Sequence, residues 1–213
     1  VFLMSDLTFN TTNIPAVSTS TNVIYVGKYG LDSNDGSSEE KANLTIGQGV
    51  LNAIAKGPSP TNQVNIYVVD GGMYEEDVTI PEFLHLFADC AIIKTDGGTA
   101  VSCGDNSYIS LNVVQAENGG TGLKYTGTDN AGGNVRINKI LASDTSDAVV
   151  IDGGKMEMIA GIVEAENGVA IKSSDTAPFT DSSDSMISFN NINVTGSGNC
   201  FQSNGPNDVT VLI

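Results

Sequence analysis

Residues 108–127 read YISLNVVQAENGGTGLKYTG, and the same plan returns in 135–154 (VRINKILASDTSDAVVIDGG), 156–174 (MEMIAGIVEAENGVAIKSS) and 186–204 (MISFNNINVTGSGNCFQSN). Each copy is a Val- and Ile-rich run, a polar corner and a second apolar run. The runs have strand length and strand composition, and almost nothing between them has helical character. Taking Val114, Leu141, Val163 and Asn193 as equivalent gives steps of 27, 22 and 30 residues. An irregular period of this size marks units that stack on one another.

Alternation within the runs (Ile109, Leu111, Val113; Val135, Ile137) turns one side of each strand inward. A chain that closes a turn in about 22 residues lays each strand beside its counterpart, about 4.8 Å away. Inward Val, Ile and Leu then stack from turn to turn. The corners fall at Glu117-Asn118-Gly119, Asp144-Thr145-Ser146, Glu166-Asn167-Gly168 and Gly196-Ser197-Gly198. The expected fold is all-β, a single-stranded parallel β-helix. Short strands with Gly and Asn turns also suit a β-sandwich, but a sandwich does not require one strand-corner-strand unit four times.

Upstream, residues 29–54 read YGLDSNDGSSEEKANLTIGQGVLNAI. Thr45 followed by Gln48 has capping-box spacing, and Ile46, Val50, Leu51 and Ile54 fall near one helical face. Gly47 and Gly49 weaken this helix by up to about 1 kcal/mol each, so packing must hold it. An open solenoid end exposes its apolar interior, and this segment is placed to cap it. The organisation expected is a polar arm over 1–22, a lead-in strand, turn and capping helix over 23–63, and coils over 64–213. The chain lacks an initiator Met and stops at VTVLI inside a strand-like run, which suggests a piece of a longer polypeptide.

A formal charge of −16 with nine Lys and Arg argues against nucleic acid and anionic membranes as partners. No apolar run reaches the roughly 18 residues of a membrane span, and the N-terminus has no basic signal-peptide region. Asn10, Asn43 and Asn193 lie in N-x-[ST] sequons, which are common by chance in a chain this rich in Asn and Thr. Cys90, Cys103 and Cys200 lack zinc spacing and read as buried free thiols, with a Cys90 to Cys103 bridge open on neighbouring turns. No metal or cofactor is indicated. Asp32-Ser33-Asn34-Asp35-Gly36 does not match an EF-hand and reads as a turn held by its own side chains. His85, in LHLFA, reads as a packed or surface strand residue.

The order IYVGKYGLDSNDGSS, LTIGQGVLNAI, VNIYVVDGGMYEEDVTIP resembles the N-terminal part of the right-handed, pectin-lyase-like β-helix superfamily. The carriers in its first coil are Ile66, Val68, Gly71 or Gly72, Tyr74, Glu76, Val78 and Ile80. The likeness covers about residues 24–93 by motif and the rest by repeat pattern. It implies a right-handed β-helix with a cap helix. Activity is not implied, because that superfamily spans lyases, hydrolases, esterases and viral tailspike and fibre proteins.

A lyase of that kind would need grouped acids for calcium and an Arg base. The lone Arg136 sits inside VRINK, without such a group beside it. The Asp pair, Gln residues and Arg of a methylesterase are absent. A glycoside hydrolase needs two carboxylates, and stacked corners could supply them from Glu117, Asp144 and Glu166, with Asp147, Asp152 and Glu164 nearby. The bland alternative is that these are solvated corner acids. Tyr67, Tyr74, Tyr108 and Tyr125 look scattered, so no sugar platform is expected. The leading expectation is therefore a structural or adhesive module of a virus or phage particle. Its partners would be other virion proteins, a host-surface glycan and, by the likeness, two further copies in a homotrimer. A secreted or virion-borne polysaccharide depolymerase and a cell-surface adhesin are the alternatives.

Overall fold

The computed structural model describes residues 22–127, 132–153, 156–173, 185–203 and 209–212. The polar arm, apart from Asn22, and the Asn10 sequon lie outside them. The chain opens with β1 (Val23–Val26), α1 (Ile46–Ile54), β2 (Val64–Val68), β3 (Met73–Glu75), β4 (Val78–Ile80), β5 (Leu84–Asp96) and β6 (Thr99–Cys103). Long and short strands then alternate: β7 (Tyr108–Glu117), β8 (Thr121–Tyr125), β9 (Gly133–Ala142), β10 (Asp147–Ile151), β11 (Met156–Ala165) and β12 (Val169–Ser173). β13 (Ser185–Val194), β14 (Asn199–Ser203) and β15 (Val209–Leu212) follow.

Every pairing between these strands is parallel. One sheet runs β1-β2-β5-β7-β9-β11-β13-β15, and the other runs β4-β6-β8-β10-β12-β14. This is the stacked parallel β-solenoid expected from the repeats. The long strands bend in the middle, where pairing skips Asn112, Asn138 and Gly161. Each coil therefore presents three faces: the first half of a long strand, its second half, and a short strand. Asn138 Nδ2 donates to Asn112 Oδ1 at 3.1 Å along this bend, so a side-chain ladder supplies bonds that the ladder of the sheet omits.

Inside the first face, Ile24, Ile66, Leu86, Ile109, Val135, Met158 and Ile187 form one column in paired register, and none is more than 1% exposed. Each such side chain contributes about 1.5–3 kcal/mol by leaving water. The second face stacks Val114 on Ile140, Val163 and Ile192. The equivalence expected from sequence was thus one residue out: Leu141 and Asn193 occupy the outward column with Gln115 and Glu164. Adjacent apolar residues Ile140 and Leu141 allow either match in sequence. Only pairing decides, because a one-residue slip reverses the face.

The first end of the solenoid is closed by two devices. Asp32 accepts from the backbone N–H groups of Leu44 (3.0 Å) and Thr45 (2.9 Å), and Asp35 from Ser37 (3.0 Å). The loop so held pairs with the free edge of β1: Tyr25 N donates to Gly36 O, and Asn43 N to Tyr25 O. That removes an edge otherwise open to other chains. α1 then packs on β1, β2 and β4. Thr45 Oγ1 accepts from Gln48 N at 3.1 Å as the capping spacing predicts, but Gln48 reaches Asn52 rather than back to Thr45, whose N–H Asp32 holds instead.

The buried face of α1 is Ile46, Gly49, Val50 and Ala53. Leu51 (60% exposed) and Ile54 (44%) face outward, correcting their expected place in the seam. The cause is close approach: a methyl on Gly49 would lie 2.6 Å from Val26 Cγ2, so the helix rolls its glycine onto β1. All three cysteines are free, as expected, but only Cys103 is buried; Cys90 and Cys200 are exposed. Burial pushes the Cys103 thiol up to about 12.

His85 is buried at an outward position of β5, with Nδ1 hydrogen-bonded to Asn65 Oδ1 at 3.1 Å and its ring edge-on to Tyr108. Burial holds its pKa below the ordinary 6.5, so the folded chain resists a proton that the unfolded chain takes up. This contribution is complete above that value and declines as pH falls through it. From about pH 7.5 to about pH 5.5, the wild-type Tm should fall more than that of His85→Phe; parallel curves would refute the assignment.

Candidate functional site

Ala116, Ala142 and Ala165 are paired neighbours at the ends of β7, β9 and β11. Ser143 N donates to Ala116 O, Glu166 N to Ala142 O and Thr195 N to Ala165 O. The next column is therefore Glu117, Ser143, Glu166, Thr195. Asp144 lies one position further, with Asn118 and Gly196, where φ is 55°, 53° and 66°. The three candidate acids are not equivalent, contrary to expectation. Asp144 occupies a left-handed corner that Asp, Asn and Gly tolerate, and a serine separates Glu117 from Glu166.

Two turns of strand spacing put the backbones of Glu117 and Glu166 about 10 Å apart. Glycosidase carboxyl pairs stand roughly 5–9.5 Å apart, so on these backbones the two side chains would have to lean toward each other. Their side chains are also engaged. Lys94 Nζ stands 2.8 Å from Glu117 Oε2, and this hydrogen bond holds the lysine pKa above its usual range. Glu166 Oε2 accepts from Asp144 N at 3.1 Å.

The neighbouring acids follow the same rule. Glu164 pairs with Lys139 at 3.1 Å, Asp152 with Lys124 at 3.1 Å and Asp147 with Lys172 at 2.8 Å. Asp147 also accepts from Val169 N at 2.9 Å. In each ion pair the lysine and acid come from adjacent turns, so the charges tie coil to coil. All four ties lie on the second and third faces. Individually, exposed pairs of this kind contribute about 0–1 kcal/mol.

A solvent-open groove of about 410 Å³ runs along this corner from Gln115 and Glu117 past Ser143, Glu164 and Glu166 to Thr195. A second, of about 350 Å³, takes in Glu75, Glu76, Asp77, Lys94 and Asp96. Glu117 borders both, making one acidic trough along the solenoid. Among the described residues, no three His, Cys, Asp or Glu side chains converge as metal ligands, and no helix is long and apolar enough to cross a membrane.

The first face carries what sequence reading missed. Tyr25, Tyr67 and Phe87 occupy paired outward positions of β1, β2 and β5, and Tyr108 follows diagonally. Successive ring centroids are 6.3, 4.8 and 5.5 Å apart. Tyr67 and Tyr108, read as scattered, belong to one ladder. Its interplanar angles of 29°, 14° and 36° turn ring faces toward one another and edges toward solvent. The ladder is therefore a stacked spine rather than a sugar platform. Tyr74 and Tyr125 are separate: both are buried, with hydroxyls donating to Asp70 (2.9 Å) and Asp105 (2.8 Å). Only a known coil register could have revealed the ladder, since Tyr25 and Tyr67 are separated by the whole cap.

No family model matches this chain, and neither the curated proteins nor the solved structures give a match.

Proposed function

We propose that the chain is a rigid module of a virus or phage particle, a fibre, tailspike or capsid-surface element related to the right-handed pectin-lyase-like β-helices, serving structure and attachment. Its partners in this reading are other particle proteins, further copies in a homotrimer, and a host-surface glycan. The observation that carries it is the use of the acids at and beside the corners. Four are bound to lysines on adjacent turns, and Glu166 caps a backbone N–H. Such acids serve to hold coils in register.

The acidic trough favours a second reading, a polysaccharide depolymerase with Glu117 and Glu166 as an inverting pair. Incubation with acidic and neutral polysaccharides, followed by size-exclusion analysis, separates the two. The expected result is no shortening of any substrate. Shortening that disappears in Glu117→Ala, Asp144→Ala or Glu166→Ala would overturn the non-catalytic reading.

A further inference from the structure

The bend column Asn112, Asn138, Gly161, Asn190 lacks one side chain. A methyl on Gly161 would lie 2.4 Å from the Asn138 carbonyl oxygen, so only glycine fits there. Beside this bend lies a surface notch of about 340 Å³, bordered by Ser110, Arg136, Asn138, Ile159 and Asn190. Arg136 is the single arginine of the chain. Its side chain is exposed, and among the described residues it forms no ion pair, whereas Lys94, Lys124, Lys139 and Lys172 are all paired.

We infer that this notch binds one carboxylate-bearing sugar ring, with the Arg136 guanidinium on the carboxylate. A guanidinium fork matches a carboxylate in two parallel hydrogen bonds. Asn138 spends its Nδ2 on Asn112, which leaves its Oδ1, 3.3 Å from the site of the missing methyl, to accept from a ring hydroxyl. Asn190 and Ser110 add polar groups on either side, and Ile159, 46% exposed, gives an apolar wall for the ring. The volume is at the small end of ligand sites and suits a terminal sugar rather than a chain. One cation in a chain of charge −16 balances a monoanion and leaves a phosphate or sulfate dianion in excess. Among the described residues of this face, Asp89, which accepts from Ser110 Oγ, and Glu157, beside Ile159 on β11, add negative charge and further disfavour a dianion.

The inference rests on the attachment reading, and the experiment separates the two. Binding of oligosaccharides ending in glucuronate or sialate, their carboxyl-reduced counterparts, and inorganic sulfate is measured by calorimetry on the full chain. Acidic termini should bind at least tenfold tighter than the reduced forms. Arg136→Gln should lose that preference, Arg136→Lys should keep part of it, and the Tm should stay within a degree or so of wild type. Equal binding by wild type and Arg136→Gln, preference for reduced sugars, or sulfate binding as tight as the sugars would overturn the site while leaving attachment standing. No binding to any glycan would overturn both.

Discussion

Placing an aspartate at Val50 should prevent stable folding, while the same change one residue on, Leu51→Asp, should leave stability nearly untouched. Val50 is 7% exposed within the core under the first coil, and Leu51 is 60% exposed on the opposite side of the same helix. An unpartnered charge at a buried site costs about 3–5 kcal/mol, a large part of the roughly 5–15 kcal/mol that holds a domain together. An exposed substitution usually stays within about 0.5 kcal/mol. The damage would reach beyond the helix. α1 shields the inward column that begins at Ile24 and Ile66, and a lifted helix exposes that column's end. Urea unfolding by circular dichroism with size-exclusion chromatography would show Val50→Asp aggregated or unfolded and Leu51→Asp monodisperse with an unchanged midpoint. Equal loss in both variants would mean that α1 does not cap through this face.

That contrast also shows what the sequence could say. The solenoid was legible because repeats are a property of the chain, and because Val and Ile at alternating positions imply a pleated, half-buried surface whatever their neighbours. The cap helix was legible from Thr45 and its spacing to Gln48. The orientation of the helix was not, because Gly49 packs on Val26 by having no side chain, and an apolar pattern cannot register that. The same limit hid the offset of Asp144 from Glu117 and Glu166, and the ladder through Tyr25, Tyr67, Phe87 and Tyr108. Both depend on which residue lies beside which across coils about 20 to 29 residues long. The Arg136 notch was hidden for a related reason. Its walls, Ser110, Arg136, Ile159 and Asn190, come from four successive coils, and only their register brings them together.

Glu76 should prove the second most sensitive position, although in sequence it is only one of three consecutive acids. Its carboxylate accepts from Ile46 N and Gly47 N, both at 2.9 Å, and so satisfies two of the donors that the start of α1 leaves open. The negative charge also lies at the positive end of the helix dipole. Because Glu76 follows β3 in the first coil, these bonds tie the cap to the solenoid it covers. Glu76→Ala is expected to cost about 2–4 kcal/mol, from two charge-assisted hydrogen bonds of about 1.5–3 kcal/mol each, less what water restores. Glu76→Gln should lose less, since its amide oxygen still accepts one bond. Asp32→Ala should cost about 1–2 kcal/mol, the scale of a lost cap. The double variant should fall short of the sum, because once the helix start is released from the coil the loop no longer has a fixed terminus to hold. Denaturant midpoints of the wild type, the two alanine variants and the double variant measure this directly, and strictly additive losses would mean that the loop and the first coil grip the helix independently. A coupled cap protects the first coils as one unit, so amide exchange in β1 and β2 should accelerate in Glu76→Ala while exchange in β9 and β11 changes least.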